Sequence, residues 1–268
     1  MLPVAGIKRR SAGVFIAEHD TLIETGEHHR GGVESLITVI ITLFNYEQFI
    51  TNTLDDVAAQ THPCLELVIV DDCSSDNSTS VARAWIEKNF ARFASTRMIR
   101  HRLNQGLAQS RNIAFQLATS EYVFVLDADN GIYPRAIARL FEALKVSGQA
   151  GAYSQLELFG DQAGIGRADI WDPEHFSRGN YIDAMALVTK SAWKAVGGYS
   201  YMDVVGWEDF DFWCKFIGAG LRCVYVPEIL CRYRVHDKSM LMTETNPRIE
   251  RLCQDMVLRH PWMTFTFD

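Results

Sequence analysis

The run Tyr122-Val123-Phe124-Val125-Leu126, followed directly by Asp127-Ala128-Asp129-Asn130-Gly131, decides how the rest of the chain is read. Five consecutive apolar residues rich in aromatic and β-branched types predict a strand buried on both faces. Asn130-Gly131 then forces a turn, so the carboxylates of Asp127 and Asp129 arrive at the carboxyl edge of a sheet. Open α/β sheets bind their ligands at that edge. Two hard oxygen donors one residue apart suit Mg²⁺ or Mn²⁺ held jointly with phosphate oxygens. They equally suit a turn in which Asp side chains bond the local backbone, and the motif alone does not separate the two.

Upstream the same grammar repeats. Leu36 to Thr42 reads as a first strand, and Ile50, Leu54, Val57 and Ala58 mark one face of a helix closed by His62-Pro63. Leu65 to Val70 is a second strand ending in Asp71-Asp72, and Ser74 to Asn77 offer N-caps to a helix with Val81, Ala82, Trp85 and Ile86 inward. A weaker strand near Arg97 to His101 precedes a helix from Gly106 through Thr119. Pro134 opens another helix, with Ile137, Leu140, Phe141 and Leu144 inward. Alternating βα units imply an α/β fold with a mostly parallel central sheet flanked by helices. After about Gly151 the rhythm becomes mixed. Strands are expected around Ala152-Tyr153, Ala184 to Val188, Arg222 to Val226 and Ile229 to Tyr233. Helices are expected at Ser191 to Val196, from Trp207, and from Pro247 to Leu258. Three parts follow: 1–34 as an extension or linker outside the core, 35–150 as the first half of the domain, and 151–268 as its second half and C-terminal helix.

A chain of 268 residues can bury one large core. Its net charge of −7 argues against nucleic acid as a partner, because phosphate neutralisation needs a basic surface. The six cysteines show no paired spacing and read as free thiols of a reducing compartment. No leader pattern is expected at the N-terminus, and the apolar stretch Leu36 to Phe44 is far short of the roughly 18 residues of a membrane span. The expected location is the cytoplasm. Lys8-Arg9-Arg10 suits peripheral contact with the inner face of a membrane, although three basic residues are usually just solvated.

In a parallel sheet Asp71-Asp72 and Asp127/Asp129 reach the same edge, and Phe44 and Tyr46 add two rings to it. So much negative charge is costly unless a cation or donor groups sit there. Arg111 lies on the apolar face of its helix by 3.6-residue spacing and so needs an acid or a phosphate as partner. Gly197-Gly198-Tyr199 and Gly206-Trp207-Glu208-Asp209 form a second cluster. Acids at a helix N-terminus are favourable for the dipole alone, but the flexible glycines and Trp207 suit a site that closes on a sugar. His236 follows a strand and can complete a two-Asp metal site.

In their order these motifs resemble the family 2 glycosyltransferases of the GT-A fold. The matching residues are Thr42-Leu43-Phe44-Asn45-Tyr46, Val70-Asp71-Asp72 through Asp76, Asn104-Gln105-Gly106 with Arg111-Asn112, Asp127-Ala128-Asp129, Gly197-Gly198-Tyr199, Trp207-Glu208-Asp209 and Tyr233 through Ser239. The resemblance implies that 35–150 binds a nucleoside-diphosphate sugar, with UDP-sugar the first expectation, and that 151–268 binds a saccharide or lipid-linked acceptor. Phe44 would stack on the base and Asp72 accept from it, with Thr42, Asn45, Arg111, Asp127 and Ala128 also on the donor side. Asp129, Asp127 and His236 would hold Mn²⁺ or Mg²⁺. Asp209 would be the general base of the Glu208-Asp209 pair, and Gly206 and Trp207 would face the acceptor. The implied reaction is a single displacement with inversion. The first strand departs from the family in ending Thr-Leu-Phe-Asn, which bears on base preference.

A nucleotidyltransferase would carry a Gly-rich basic loop where Phe44-Asn45-Tyr46-Glu47 stands. A dinucleotide oxidoreductase would carry G-x-G-x-x-G after a strand. The alternative from another class is a catalytically silent sugar-nucleotide-binding module of a larger glycan-assembly complex.

Overall fold

The strand predicted at 122–126 lies at the centre of the molecule, and its side chains divide between two cores. Val123 and Val125 face one, Phe124 and Leu126 the other, and all four are cut off from water. Burial on both sides is why the strand shows no polar alternation. The structure is a computed structural model that describes residues 19–25, 35–237 and 239–264.

Ten strands make one sheet. They are β1 His19–Glu24, β2 Ile37–Leu43, β3 Leu65–Asp71, β4 Ser95–His101, β5 Tyr122–Asp127, β6 Gly131–Ile132, β7 Gly151–Gly160, β8 Gly164–Ile165, β9 Ala186–Thr189 and β10 Cys223–Val235, in the order β1-β4-β3-β2-β5-β9-β7-β10-β6 with β8 beside β7. The helices are α1 Ile50–Ala58, α2 Ser78–Asn89, α3 Leu107–Leu117, α4 Ala136–Ser147, α5 Pro173–Phe176, α6 Lys190–Ala195, α7 Glu208–Gly218 and α8 Ile249–Arg259. The α/β sheet flanked by helices is the expected fold class. Strands β2, β3, β4 and β5 are parallel, and β9 turns antiparallel against both β5 and β7. The second half is therefore mixed.

Two expectations need correction. Residues 19–24, read as part of an extension, add an antiparallel strand against β4; the rest of 1–34, including Lys8-Arg9-Arg10, lies outside the described residues apart from Thr25. The two strands expected across 222–233 are one, β10, whose register shifts after Val226 and again after Ile229. Pro227, which has no N–H to give, stands at the first shift. All six cysteines are free. No helix among the described residues is long and apolar enough to cross a membrane.

Helix α8 is fastened to α7 by one buried carboxylate. Asp211 accepts from His260 Nε2 at 2.9 Å, with Lys215 Nζ at 3.6 Å from its other oxygen. Burial alone would raise its pKa, but the His260 bond leads a set of partners that hold it below the usual carboxylate range. A depressed carboxylate contributes stability above its ordinary pKa and loses it as pH falls through the lowered value. Asp211→Asn is therefore expected to cost about 1–3 kcal/mol at neutral pH. In urea unfolding its deficit against the wild type should shrink below about pH 4; a deficit that stays constant into acid would count against the ionic fastening.

Candidate active site

Parallel strands deliver their carboxyl ends to one edge, and antiparallel β9 delivers its amino end to the same place. Thr42 of β2 lies in register with Asp127 of β5, and β10 runs parallel to β7 so that Arg234 and His236 also emerge there. Arg234 makes the join exact: its N–H donates to Asn130 Oδ1 at 2.8 Å and its Nε to the Asp129 carbonyl at 2.9 Å. Its guanidinium lies 4.4 Å from the Phe49 ring and 4.3 Å from Phe159, a geometry favourable to cation–π attraction. His236 Nε2 then lies 3.0 Å from Asp129 Oδ2. Burial raises the Asp129 pKa, with the Asp127 charge adding to it and the His236 bond opposing.

Asp127 faces the other way. Its Oδ1 accepts from Arg111 Nη2 at 2.8 Å, so the arginine anomaly of α3 is resolved by a sheet-edge acid. Arg111 is 3% exposed and Asp127 25%. Burial works against the guanidinium's charge, but Asp127 prevails and holds it firmly protonated. Between them Ala128 is fully buried, its carbonyl accepting from Thr53 Oγ1 at 2.9 Å.

A carboxylate and an imidazole such as Asp129 and His236 are donor types that suit a divalent cation of the Mg²⁺ or Mn²⁺ type that also takes substrate phosphate oxygens, whereas Asp127 is turned toward Arg111. Asp129 and His236 already meet at one point, although among the described residues no three such donors form a closed cage.

Phe44 is 44% exposed, open to a ligand rather than packed in a core. Asn45 does not face a ligand with its amide oxygen. It takes a left-handed φ of 58°, and its Oδ1 accepts from Ser75 N at 2.8 Å and Asp76 N at 3.3 Å, stapling the loop after β2 to the loop after β3. Asp72 is similarly occupied: His101 Nδ1, Gln105 N and Gly106 N all lie within 2.8 Å of its carboxylate. It holds the turn into α3, with at most one acceptor position left of the four a carboxylate offers.

Asp209, on the first turn of α7, accepts from its neighbour Phe210 N at 2.8 Å and from Asn180 Nδ2 at 3.1 Å. Burial pushes its pKa up to about 6 against the pull of Arg111. Glu208 is turned inward instead, its Oε2 accepting from Gly206 N at 2.8 Å. Gly206 adopts φ of 119° and sits so close to Thr245 that a Cβ would collide with it. Trp207 packs edge-on to Phe210. Asn112 clamps the glycine loop, accepting from Tyr199 N at 2.8 Å and donating to Tyr199 O at 2.8 Å.

One acid escaped the sequence reading. Asp183 lies beside Asp127 and Asp209, and burial followed by those two charges pushes its pKa up to about 7. βα periodicity points to acids at the carboxyl ends of parallel strands. In an antiparallel strand the residues before the start reach the ligand edge, and the polar residue preceding the apolar run 184–188 was the available signal.

Residues 38–205 match the model for "Glycosyl transferase family 2", and the chain belongs to that family. It is a glycosyltransferase. An uncharacterized glycosyltransferase of Nostoc sp. is 28% identical over 233 residues, covering 80% of this chain and 69% of its own. A protein of Bacillus subtilis named as a glycosyltransferase, EpsE, is 26% identical over 76% of this chain and 73% of its own. Among solved structures, S. aureus TarS 1-349 in complex with UDP superposes with a TM-score of 0.62 at 18% identity, over 75% of this chain and 61% of that one. The mannosyltransferase PcManGT from Pyrobaculum calidifontis, in complex with GDP-Man and Mn²⁺, gives 0.60 at 22% identity over 76% of this chain and 58% of that one. At those identities the likeness establishes the GT-A fold. The chain spans about three fifths of these structural neighbours.

Because Asp127 is, among the described residues, the one carboxylate in an ion pair with the buried Arg111 guanidinium, removing its charge is expected to cost stability before any ligand binds. Asp127→Asn should lower the unfolding free energy by about 1–3 kcal/mol, between the values for exposed and fully buried pairs. Asp129→Asn should change it by about 1 kcal/mol or less, because burial already disfavours that charge. Equal costs in urea titration would contradict this division of labour.

Proposed function

We propose that the chain transfers a sugar from a nucleoside-diphosphate sugar, UDP-sugar first among them, to a saccharide or lipid-linked acceptor, with inversion and with a divalent cation. The observation that carries the reading is that Asp209, with its pKa pushed up to about 6, lies near the Arg111–Asp127 pair, whose Asp127 charge also bears on Asp129 of the Asp129–His236 pair. A carboxylate tuned upward by burial is a better proton acceptor and is still ionised near neutral pH.

In this reading Asp129, Asp127 and His236 would hold the cation, which when bound would offset negative charge on the departing diphosphate. Phe44 offers its exposed face to the base. Asp72 and Asn45 hold the loops that flank the base, and Thr42 and Ala128 fix the floor beneath the diphosphate. Arg111 keeps the Asp127 carboxylate in one orientation. Asp209 takes the acceptor hydroxyl proton onto its carboxylate as that oxygen attacks the anomeric carbon, so no covalent enzyme intermediate forms. Glu208 and Gly206 fix the turn that aims Asp209, and Trp207 lines the acceptor side. The work is done in the cytoplasm, with peripheral contact at the inner face of the membrane where the acceptor is lipid-linked.

Asp209→Asn is expected to lower turnover by about 10²–10⁴-fold, leaving calorimetric binding of a nucleotide sugar with Mn²⁺ intact. The wild-type rate should rise with pH through about 6, as the base loses its proton, and Asp209→Asn should lose that limb. Asp129→Ala should abolish metal-dependent nucleotide binding. A chain that binds a nucleotide sugar but neither transfers nor slowly hydrolyses it would instead be the silent module.

A further inference from the structure

If the cation acids hold the diphosphate and Asp209 receives the acceptor's proton, an in-line displacement places the anomeric carbon between them. The ring of the transferred sugar must then occupy the space bounded by Asp127 and Asp209. This inference rests on the donor reading above, and asks what this chain presents to that ring.

Two polar groups there have spare capacity. Asp183 stands among Asp127, Asp209 and Arg111, and accepts one bond, from Met185 N to Oδ1 at 2.9 Å. Among the described residues no donor bonds its Oδ2. Tyr199 is 3% exposed, and its hydroxyl is buried without a hydrogen-bond partner. The charged groups around that hydroxyl are Arg111, Asp209, Asp127 and Asp183, and Arg111 lies 5.4 Å from the ring centroid. A buried hydroxyl left unpaired costs roughly 1–3 kcal/mol. Packing alone would be served as well by phenylalanine, since the ring already stacks on Phe212 at 4.3 Å.

We propose that Asp183 and Tyr199 are the specificity-determining residues for the transferred sugar, gripping its ring hydroxyls and restricting the donor to a neutral sugar rather than a hexuronic acid. Asp183 accepts from a hydroxyl through Oδ2, and Tyr199 donates to or accepts from a neighbouring one. The charge balance sets the restriction. Asp127, Asp183 and Asp209 surround the space, and the one guanidinium among them is already paired with Asp127. A ring carboxylate would add like charge beside these acids, and among the described residues the basic side chain there, Arg111, is already paired with Asp127.

The test is calorimetry with Mn²⁺ on the whole chain, comparing UDP with UDP-glucose, UDP-galactose, UDP-N-acetylglucosamine and UDP-glucuronate, and GDP with GDP-mannose. In the wild type at least one neutral sugar should tighten binding over its bare nucleotide by roughly 10-fold or more, and UDP-glucuronate should not. Asp183→Asn keeps an oxygen for Met185 N, and Tyr199→Phe keeps the ring, so both should fold. Each should leave nucleotide affinity within about 2-fold, yet remove most of the gain from the neutral sugar. Asp183→Asn should also narrow the disadvantage of glucuronate. A preserved gain in both variants, or a wild type that favours UDP-glucuronate, would overturn the assignment. A wild type that binds no nucleotide would sink the donor reading itself, and this inference with it.

Discussion

Arg111 is a guanidinium almost without water, and the site is arranged around satisfying it. An unpaired charge in that position would cost several kcal/mol. It is met by Asp127 at 2.8 Å, by the face of Tyr199, and at longer range by Asp209. One buried cation thus ties α3 to the end of β5, to the glycine loop after α6 and to the start of α7. Without it, Asp127, Asp183 and Asp209 would crowd one cleft with nothing to balance them. Its position also explains how two acids on one edge acquire different work: Asp127 is pinned by the pair, and Asp209 stays poised near 6.

The reversal of β9 is the second constraint. Had it continued the parallel run, its amino end would lie at the opposite edge and Asp183 would be far from any ligand. Because β9 runs against both β5 and β7, the chain delivers residues to the same edge from strand starts as well as strand ends. The first half of the domain supplies acids after strands; the second half supplies one before a strand and one at a helix start.

This explains what the sequence could disclose. The parallel half was legible because βα repetition has strict periods, and the β5 apolar run put 127–129 at the sheet edge while leaving a turn and a metal site both open. Arg111 was legible as an anomaly on an apolar face that needed an acid or a phosphate, and only the folded sheet edge shows that Asp127 meets it. The continuous β10 was hidden by Pro227, whose local signal for a break is overridden by pairing with β7 on both sides of the register shifts. The positioning roles of Asn45, Asp72 and Asn112 were not legible, because a side chain that bonds a distant loop leaves no trace in spacing. Asp183 was hidden by strand direction, which a single sequence does not carry.

Strand β1 also has a consequence for handling the protein. It covers the outer edge of β4, which would otherwise present a row of open backbone donors and acceptors next to the buried side chains of Met98 and Ile99. Open edges of that kind recruit strands from other molecules. A chain trimmed to begin at the family match would keep every acid of the cleft and still expose this edge. Its failure would appear as self-association rather than lost chemistry, and material of that kind could mislead any assay that reads turnover per milligram.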